Sequence, residues 1–193
     1  MRGVLCNNSN NKGHMMEKRI LFAGDSDQDI LYAGQVLIEA AVEAGWRAAC
    51  VDSGRQDDVI YCSILLSTEP LSRSGSAMPD VGVLGSLSAA NVFERMIKPR
   101  GLLVLNASDI RRPVLRRDVD VVMAPASPLS AEDPSLVTMT LLGVLVSLTG
   151  WMSVDDVMLV VRKSCVGDAA CAAFRYGVAF VEEMVMNASS EAA

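Results

Sequence analysis

Hydrophobic positions near the start of the chain follow a strand pattern and then a helix pattern. Residues 20–23 form a short apolar run that predicts a buried strand ending at Gly24. Apolar or small residues then recur three or four positions apart from Ile30 to Ala41, which predicts a helix that Gly45 ends. A strand, a tight turn and a helix in this order are typical of the opening of a parallel α/β sheet.

The remaining pattern predicts alternating strands and helices and then a helical C-terminal third. Further strands are predicted at residues 46–53, 59–67, 80–85, 101–106 and 119–124. Ser86 is placed to cap a helix at 87–97, Pro, Ser and Gly predict a loop at 68–79, and helices follow at 134–148, 153–163 and 167–187. We therefore predict an α/β fold, a three-layer Rossmann-like domain with a mostly parallel central sheet. It spans residues 18–188, between a disordered leader or tag at 1–17 and a frayed tail at 189–193.

Composition narrows the classes of function. Apolar residues make up 51% of the 193 residues and the mean hydropathy is +0.31, which favours a chain that buries surface against other subunits. The longest apolar run, residues 141–148, is far shorter than the roughly 20 residues of a membrane span. The net charge of −6 argues against nucleic acid as a partner. We expect neither a membrane nor a nucleic acid among the partners.

Cysteine and histidine usage excludes the common local metal motifs. The sequence has no CxxC pair and its only histidine is His14, so neither a zinc motif nor a cluster motif is present. The cysteines fall mostly in apolar runs, and no segment has the apolar core of a signal peptide. We predict buried structural thiols in a reducing, cytoplasmic compartment. The cysteines are Cys6, Cys50, Cys62, Cys165 and Cys171.

The turn after the first strand, residues 24–29, is the most unusual stretch. Phosphate-binding turns at this place in α/β folds are rich in glycine, whereas this turn carries Asp25, Asp27 and Asp29. Electrostatic repulsion between a bound phosphate and each aspartate would cost about 1 kcal/mol in water. The helix N-terminus stabilises an anion by only about 0.3–1 kcal/mol per charge. The turn therefore predicts the loss of a phosphate site. Either Asp27 or Asp29 caps the helix, or the three carboxylates hold a cation such as Mg²⁺.

Four segments in collinear order resemble one family. They are PDVGVLGSLSAANVFER at 79–95, MIKPRGLLVLNASDI at 96–110, VMAPAS at 122–127 and TMTLLGVLVSLTGWMS at 138–153. Together they resemble the gamma subunit or gamma domain of the 2-oxoacid (pyruvate, 2-oxoglutarate or ketoisovalerate):ferredoxin oxidoreductases. The resemblance covers roughly residues 18–176.

The resemblance implies a role inside a larger complex. That complex oxidatively decarboxylates a 2-oxoacid to an acyl-CoA, using thiamine diphosphate with Mg²⁺, iron–sulfur clusters and coenzyme A. Its gamma part carries no cluster and no catalytic nucleophile, and it packs beside the thiamine and coenzyme A region. The resemblance thus implies that this chain alone binds no cofactor and has no catalytic residue. It implies that the other subunits are its partners and that ferredoxin is a partner only indirectly.

The chain departs from the family at its functional loops. Of the family's GxGGQG turn it keeps Gly24 and Gln28, with Ser26, Asp27 and Asp29 in place of glycines. A family loop after the second strand, rich in glycine and arginine, falls near residues 53–56, and Thr138 replaces a family asparagine. By family position the cofactor-contacting residues are Gly24, Ser26, Gln28, Ser53 and Gly54.

These departures leave a second hypothesis open. A diverged, stand-alone, homo-oligomeric ligand-binding module would also keep the scaffold and lose the phosphate site. Tyr32 and Gln28 are the residues expected to contact a small ligand. The connection at residues 109–118 carries four arginines. These predict either a solvated loop or salt bridges to a partner, or else an anion contact to the phosphates of coenzyme A from an adjoining subunit. These arginines are Arg111, Arg112, Arg116 and Arg117.

Overall fold

A computed structural model describes residues 16–71, 77–126, 133–164 and 167–191. The described residues form six strands, which are β1 (Glu17–Asp25), β2 (Arg47–Gln56), β3 (Val59–Ser67), β4 (Val81–Leu84), β5 (Leu102–Asn106) and β6 (Asp120–Ala124). They also form five α-helices, which are α1 (Ile30–Glu43), α2 (Leu87–Phe93), α3 (Leu136–Thr149), α4 (Val154–Lys163) and α5 (Gly167–Glu191). A short 3₁₀ turn, Glu94–Met96, follows α2.

The strands form one sheet in the order β2-β3-β1-β4-β5-β6. The pairs β1/β4, β4/β5 and β5/β6 are parallel, whereas β3 pairs antiparallel with both β1 and β2. The predicted mostly parallel α/β sheet is thus confirmed, with an antiparallel part on one side. The antiparallel pairing of β2 with β3 follows from the shortness of the loop between them, because a connection of two residues, Asp57–Asp58, can join only antiparallel neighbours.

The sheet is covered on both faces, which confirms the predicted three layers. Successive side chains of β1 alternate between the two cores, as the period of two along a strand requires. Ile20 and Phe22 are buried beside α1, α3, α4 and α5, and Leu21 and Ala23 are buried beside α2 and the connection after β5. The strand is therefore apolar on both faces, and this explains its continuous apolar run.

Helices α3 and α5 cross at unusually close range. A Cβ added at Gly143 would collide with the carbonyl oxygen of Phe174 on α5, and one at Gly177 would collide with the carbonyl oxygen of Thr140 on α3. The two glycines therefore let each helix approach the backbone of the other. Helix α3 is buried on nearly all sides, as its apolar sequence predicted.

The predicted helix ends also agree with the structure. The Ser86 hydroxyl accepts a hydrogen bond from the Ala89 amide at 3.2 Å, and the Ser153 hydroxyl accepts one from the Asp156 amide at 3.0 Å. Gly45 follows α1 with φ +89°, a conformation that glycine adopts without strain.

Several predicted boundaries are wrong by a few residues. Strand β2 continues to Gln56 instead of ending at Ser53, and α5 continues to Glu191 instead of ending at residue 187. Glu17 belongs to β1, and the Met16 amide donates to Thr68 Oγ1 at 3.1 Å, so the predicted leader cannot include these two residues. The rest of that leader, with His14, and residues 192–193 of the tail lie outside the described residues. No helix in the described part is long and apolar enough to cross a membrane.

Candidate functional site

The candidate site lies at the carboxyl ends of β1 and β4, which are neighbours in the sheet. The chain leaves β1 through α1 on one face and leaves β4 through α2 on the opposite face. Such a divergence opens a crevice outside the carboxyl ends of the two strands, where α/β domains bind ligands. The turn from Gly24 to Asp29 forms one wall of the crevice, and the segment after Leu84 forms the other.

A tight hydrogen-bonded turn leads from β1 into α1. The Gln28 amide donates to the Asp25 carbonyl oxygen at 3.1 Å, and the Ala33 amide donates to the Asp29 carbonyl oxygen at 3.1 Å. Asp29 is the N-cap residue and has the left-handed conformation, with φ 47° and ψ 42°. The family glycine at this position would adopt that conformation freely, whereas aspartate is one of the few other residues that tolerate it.

The Gln28 side chain fills the crevice. Its exposure is only 7%, its Oε1 accepts from the Asp25 amide at 3.1 Å, and its Nε2 donates to the Gly85 carbonyl oxygen at 3.2 Å. The Gln28 carbonyl oxygen accepts from Thr138 Oγ1 at 2.5 Å, which ties the turn to α3. Both ends of the carboxamide are thus bonded within the chain, as burial of a polar group requires.

Two glycines make room for that carboxamide. A Cβ at Gly24 or at Gly85 would collide with Gln28 Oε1, so the side chain lies directly against both backbones. This close approach explains why Gly24 and Gln28 occur together. It gives both residues a structural role that does not involve a bound cofactor.

A second buried amide, Asn106, closes the other side of the crevice. Its side chain is 1% exposed, its Nδ2 donates to the Gly85 carbonyl oxygen at 3.0 Å, and its Oδ1 accepts from the amides of Ser108 and Ala126 at 3.1 and 3.3 Å. These bonds link the ends of β4, β5 and β6. Sequence reasoning missed Asn106, although a single polar residue at the end of an apolar strand was a usable signal.

The three aspartates of the turn do not converge. Asp25 Oδ1 accepts from the Ser86 hydroxyl at 2.8 Å, while Asp27 and Asp29 are exposed. The Asp29 side chain makes no capping hydrogen bond, so the predicted cap by this residue is wrong. Within the described residues no group of three acidic, histidine or cysteine side chains is placed so that it could hold a metal ion.

Ser53 and Gly54 lie apart from the turn. They belong to β2, and β3 separates β2 from β1, which places them about 10 Å from β1 across the sheet. Gly54 faces Tyr61, whose hydroxyl oxygen is 3.2 Å from the position of an added Cβ. The prediction that the second strand ends at Ser53 and that a polar loop follows is wrong, because the strand continues to Gln56.

Tyr32 has a partner within the chain. Its hydroxyl oxygen lies 2.6 Å from Ser164 Oγ, so its side chain joins α1 to the end of α4. A contact of Tyr32 with a small ligand stays a prediction.

Two of the four arginines in the connection at residues 109–118 form ion pairs within the chain. Arg112 Nη2 lies 2.7 Å from Glu94 Oε2, and Arg116 lies 2.6 Å from Asp118 Oδ2 and donates to the Ile97 carbonyl oxygen at 2.5 Å. The hydrogen bond from Arg116 lowers the pKa of Asp118. The acidic partners of Arg112 and Arg116 thus lie inside the chain, whereas the sequence predicted a solvated loop or salt bridges to a partner. Arg111 and Arg117 are exposed.

The predicted burial of the cysteines holds only in part. Cys62 is buried and Cys171 half-buried, but Cys50 is exposed on the edge strand β2. Cys6 and Cys165 lie outside the described residues.

The fold and the crevice together define a class of protein, an α/β domain with a switch-point crevice that its own amide side chains fill. Comparison with models of protein families identifies the family within this class. The family model described as pyruvate ferredoxin/flavodoxin oxidoreductase matches residues 19–180. The chain belongs to this family. Comparison with curated protein sequences finds no match.

Solved structures with the same fold carry related descriptions. The gamma subunit of a keto/oxoacid ferredoxin oxidoreductase from Geobacter sulfurreducens aligns over 84% of this chain and 94% of its own, with 18% identity and TM-score 0.73. A pyruvate oxidoreductase subunit from Thermotoga maritima aligns over 83% and 92%, with 20% identity and TM-score 0.57.

A third structure is a much longer chain. It is the 2-oxoglutarate:ferredoxin oxidoreductase from Magnetococcus marinus with 2-oxoglutarate, coenzyme A and succinyl-CoA bound. It aligns over 86% of this chain but only 31% of its own length, with 20% identity and TM-score 0.76.

Proposed function

We infer that this chain is the non-catalytic gamma-type subunit of a thiamine-diphosphate-dependent 2-oxoacid:ferredoxin oxidoreductase complex. The observation that carries the proposal is the family match over residues 19–180. The likeness to a gamma subunit over nearly the whole of both chains supports the assignment to that subunit. Other subunits of the complex are the proposed partners, and ferredoxin is a partner only through them.

The chemistry of the crevice supports a non-catalytic role. The crevice holds two neutral amide side chains, Gln28 and Asn106, whose polar atoms are bonded within the chain. Neither amide is a nucleophile or a general base at neutral pH. The proposed contribution of this chain is therefore a rigid wall beside a site that other subunits complete.

A diphosphate does not fit the start of α1 in this chain. Gln28 occupies the space over Gly24, and the exposed carboxylates of Asp27 and Asp29 would repel the anion. Thiamine diphosphate, its Mg²⁺ and the iron–sulfur clusters are accordingly assigned to the other subunits. Coenzyme A, which is bound in the Magnetococcus marinus structure, is a ligand of the proposed complex. Among the residues expected by family position, only Ser26 is exposed on this turn, and we assign it the contact with a neighbouring subunit or its ligand.

Reconstitution tests the proposal. This chain is co-expressed with candidate subunits that carry thiamine-binding and CxxC cluster motifs, and the purified material is assayed for 2-oxoacid- and coenzyme A-dependent reduction of ferredoxin. We expect a complex that contains this chain and loses activity when it is omitted. Failure to form any complex with such subunits contradicts the proposal. As a control, the variant Ala179→Ser changes only one small exposed side chain, so it should form the complex as the natural sequence does.

The diverged turn also favours a second candidate, a stand-alone homo-oligomeric binding module. The three aspartates that replace a phosphate-compatible turn are its specific support. Light scattering separates the two candidates. A closed homo-oligomer that does not bind the candidate subunits supports the stand-alone binding module. A homodimer that still binds them supports the gamma-type subunit. A cytoplasmic location belongs to the proposal in either case.

A further inference from the structure

Two cysteine thiols meet on neighbouring strands at one edge of the sheet. Cys50 on β2 and Cys62 on β3 have their Sγ atoms 3.4 Å apart. They are not directly opposite in the ladder, since Cys50 pairs with Ile64 and Cys62 pairs with Ser53. The register shifts between Cys50 and Asp52, so a bulge lies immediately after Cys50. Diagonal neighbours in a regular ladder lie roughly 7–8 Å apart, and contact between these side chains needs them to lean toward each other.

The two thiols differ in access to solvent. Cys50 is exposed, whereas Cys62 is 3% exposed and packs against α1, where a Cβ at Gly34 would lie 3.0 Å from its sulfur. An oxidant in solution can therefore reach Cys50 first. Cys62 is close enough to react next without entering the solvent.

We propose that Cys50 and Cys62 form a reversible modification site, an internal disulfide that closes on exposure to an oxidised low-molecular-weight thiol such as oxidised glutathione. This site is independent of the proposed function, because it depends only on β2, β3 and their contact with α1. Cys50 lies on the edge strand β2, two strands away from β1, and Cys62 lies on β3, opposite Phe22 of β1.

The reaction proceeds by two thiol–disulfide exchanges. In the first, the Cys50 thiolate attacks one sulfur of oxidised glutathione, forming a mixed disulfide and releasing one glutathione thiolate. In the second, the Cys62 thiolate attacks Cys50 Sγ, forming the internal disulfide and releasing the second glutathione. The protein loses two protons and two electrons, and one molecule of oxidised glutathione takes them up to become two molecules of glutathione.

The second exchange is expected to be the slow one. Burial, followed by the hydrogen bond with Cys50, raises the pKa of the Cys62 thiol to about 12. Only the thiolate attacks a disulfide, so little of Cys62 is reactive near neutral pH. The titratable groups that act on Cys62 are Cys50 and Asp52 of β2, while the neighbouring residues of α1 and β1 are Gly34 and Phe22.

Mass spectrometry of the full chain tests the site. The reduced protein is treated with excess oxidised glutathione, quenched with acid, and analysed intact and after proteolysis. We expect first an adduct on Cys50 and then a product about 2 Da lighter than the reduced chain, with a Cys50–Cys62 cross-link that dithiothreitol reverses. The proposal would be overturned by a glutathione adduct on Cys50 that never resolves, or by a cross-link to another cysteine. It would also be overturned if Cys50 and Cys62 both remained free thiols after the treatment.

Variants separate this pair from the other cysteines. Cys50→Ser changes an exposed side chain, so the protein should fold, and we expect no adduct at this position and no cross-link. Cys62→Ala should accumulate the Cys50 adduct without resolving it. Cys171→Ser is the matched control, because Cys171 lies on α5, and it should give the same cross-link at the same rate as the natural sequence. A cross-link that persists in Cys50→Ser contradicts the assignment.

The pH dependence of ring closure tests the order of the two steps. Starting from the isolated Cys50 adduct, the rate of glutathione release should rise with pH between about pH 7 and pH 9, because burial raises the pKa of the Cys62 thiol and its thiolate fraction grows over this range. A rate that is flat over this range would identify a different attacking group and would overturn the assignment of Cys62.

Discussion

Gln28 and Asn106 donate hydrogen bonds to the same acceptor, the carbonyl oxygen of Gly85. The donor–acceptor distances are 3.2 Å from Gln28 Nε2 and 3.0 Å from Asn106 Nδ2. One amide comes from the turn after β1 and the other from the end of β5, so a carbonyl at the end of β4 joins elements that are distant in sequence. This shared acceptor fixes the edge of the sheet at which the candidate site lies.

A double-mutant cycle tests the shared acceptor. Gln28→Ala or Asn106→Ala alone leaves Gly85 with one donor, and the double variant leaves it with none. Each single change should lower the free energy of unfolding by about 1–3 kcal/mol, and the double change should exceed their sum by about 1 kcal/mol. Urea denaturation gives these values. Strict additivity would show that the two bonds do not compensate for each other.

Changing Gln28→Glu should make stability depend on pH. A carboxylate cannot donate to the Gly85 carbonyl oxygen, so the folded protein should favour the protonated acid and hold its pKa above the unfolded value of about 4.3. The stability penalty should be small below that value and should grow as pH rises through the folded pKa. Thermal melts of this variant and the natural sequence from acidic to neutral pH measure the difference. A penalty that is the same at every pH contradicts the bond from Nε2.

Gly143→Ala and Gly177→Ala should each destabilise the domain strongly. An added methyl group at either position meets a carbonyl oxygen of the facing helix, so α3 and α5 must separate. We expect a loss of about 3 kcal/mol or more, although alanine favours an isolated helix over glycine by about 1 kcal/mol. Ala172→Gly, on the exposed side of α5, is the control and should cost only about 1 kcal/mol. Equal losses at the three positions in denaturation would contradict the close crossing.

Asp118→Asn should lower stability at neutral pH and change it little in strong acid. The Arg116 hydrogen bond lowers the pKa of Asp118 in the folded protein. A lowered folded pKa contributes stability that is present above the unfolded pKa and is lost as pH falls through the folded value. The difference in melting temperature between the variant and the natural sequence should therefore shrink on acidification. High salt should reduce it as well, because the pair is near the surface. A difference that grows toward low pH contradicts the assigned pair.

Much of the fold follows from local sequence. The apolar run of β1 and the caps at Ser86 and Ser153 agree with the structure because strand burial and helix capping depend on residues near in sequence. The buried helix α3 was likewise apparent from an apolar pattern on all of its sides. Long, strongly patterned segments thus gave the right element type, and boundaries such as the end of β2 were less accurate because pairing with β3 extends the strand.

The site was only half predictable. The sequence identified the turn at residues 24–29 as unusual. It predicted the loss of a phosphate site there, but it could not decide whether the aspartates cap the helix or bind a cation. The choice depends on where the Gln28 side chain points, and this is set by Gly85, which lies 57 residues away along the chain.

Sequence by itself determined the α/β class, the order of most elements and the family, because periodicity and collinear segments are properties of the chain. Only the tertiary structure decided that Gln28 and Asn106 share the Gly85 carbonyl as acceptor. It also decided that Ser53 lies on β2, which β3 separates from β1, and that the sulfur atoms of Cys50 and Cys62 are in contact. The physical reason is that buried polar groups take whichever partners the packed sheet brings within hydrogen-bonding distance. Those partners come from remote parts of the chain, and no local pattern encodes them.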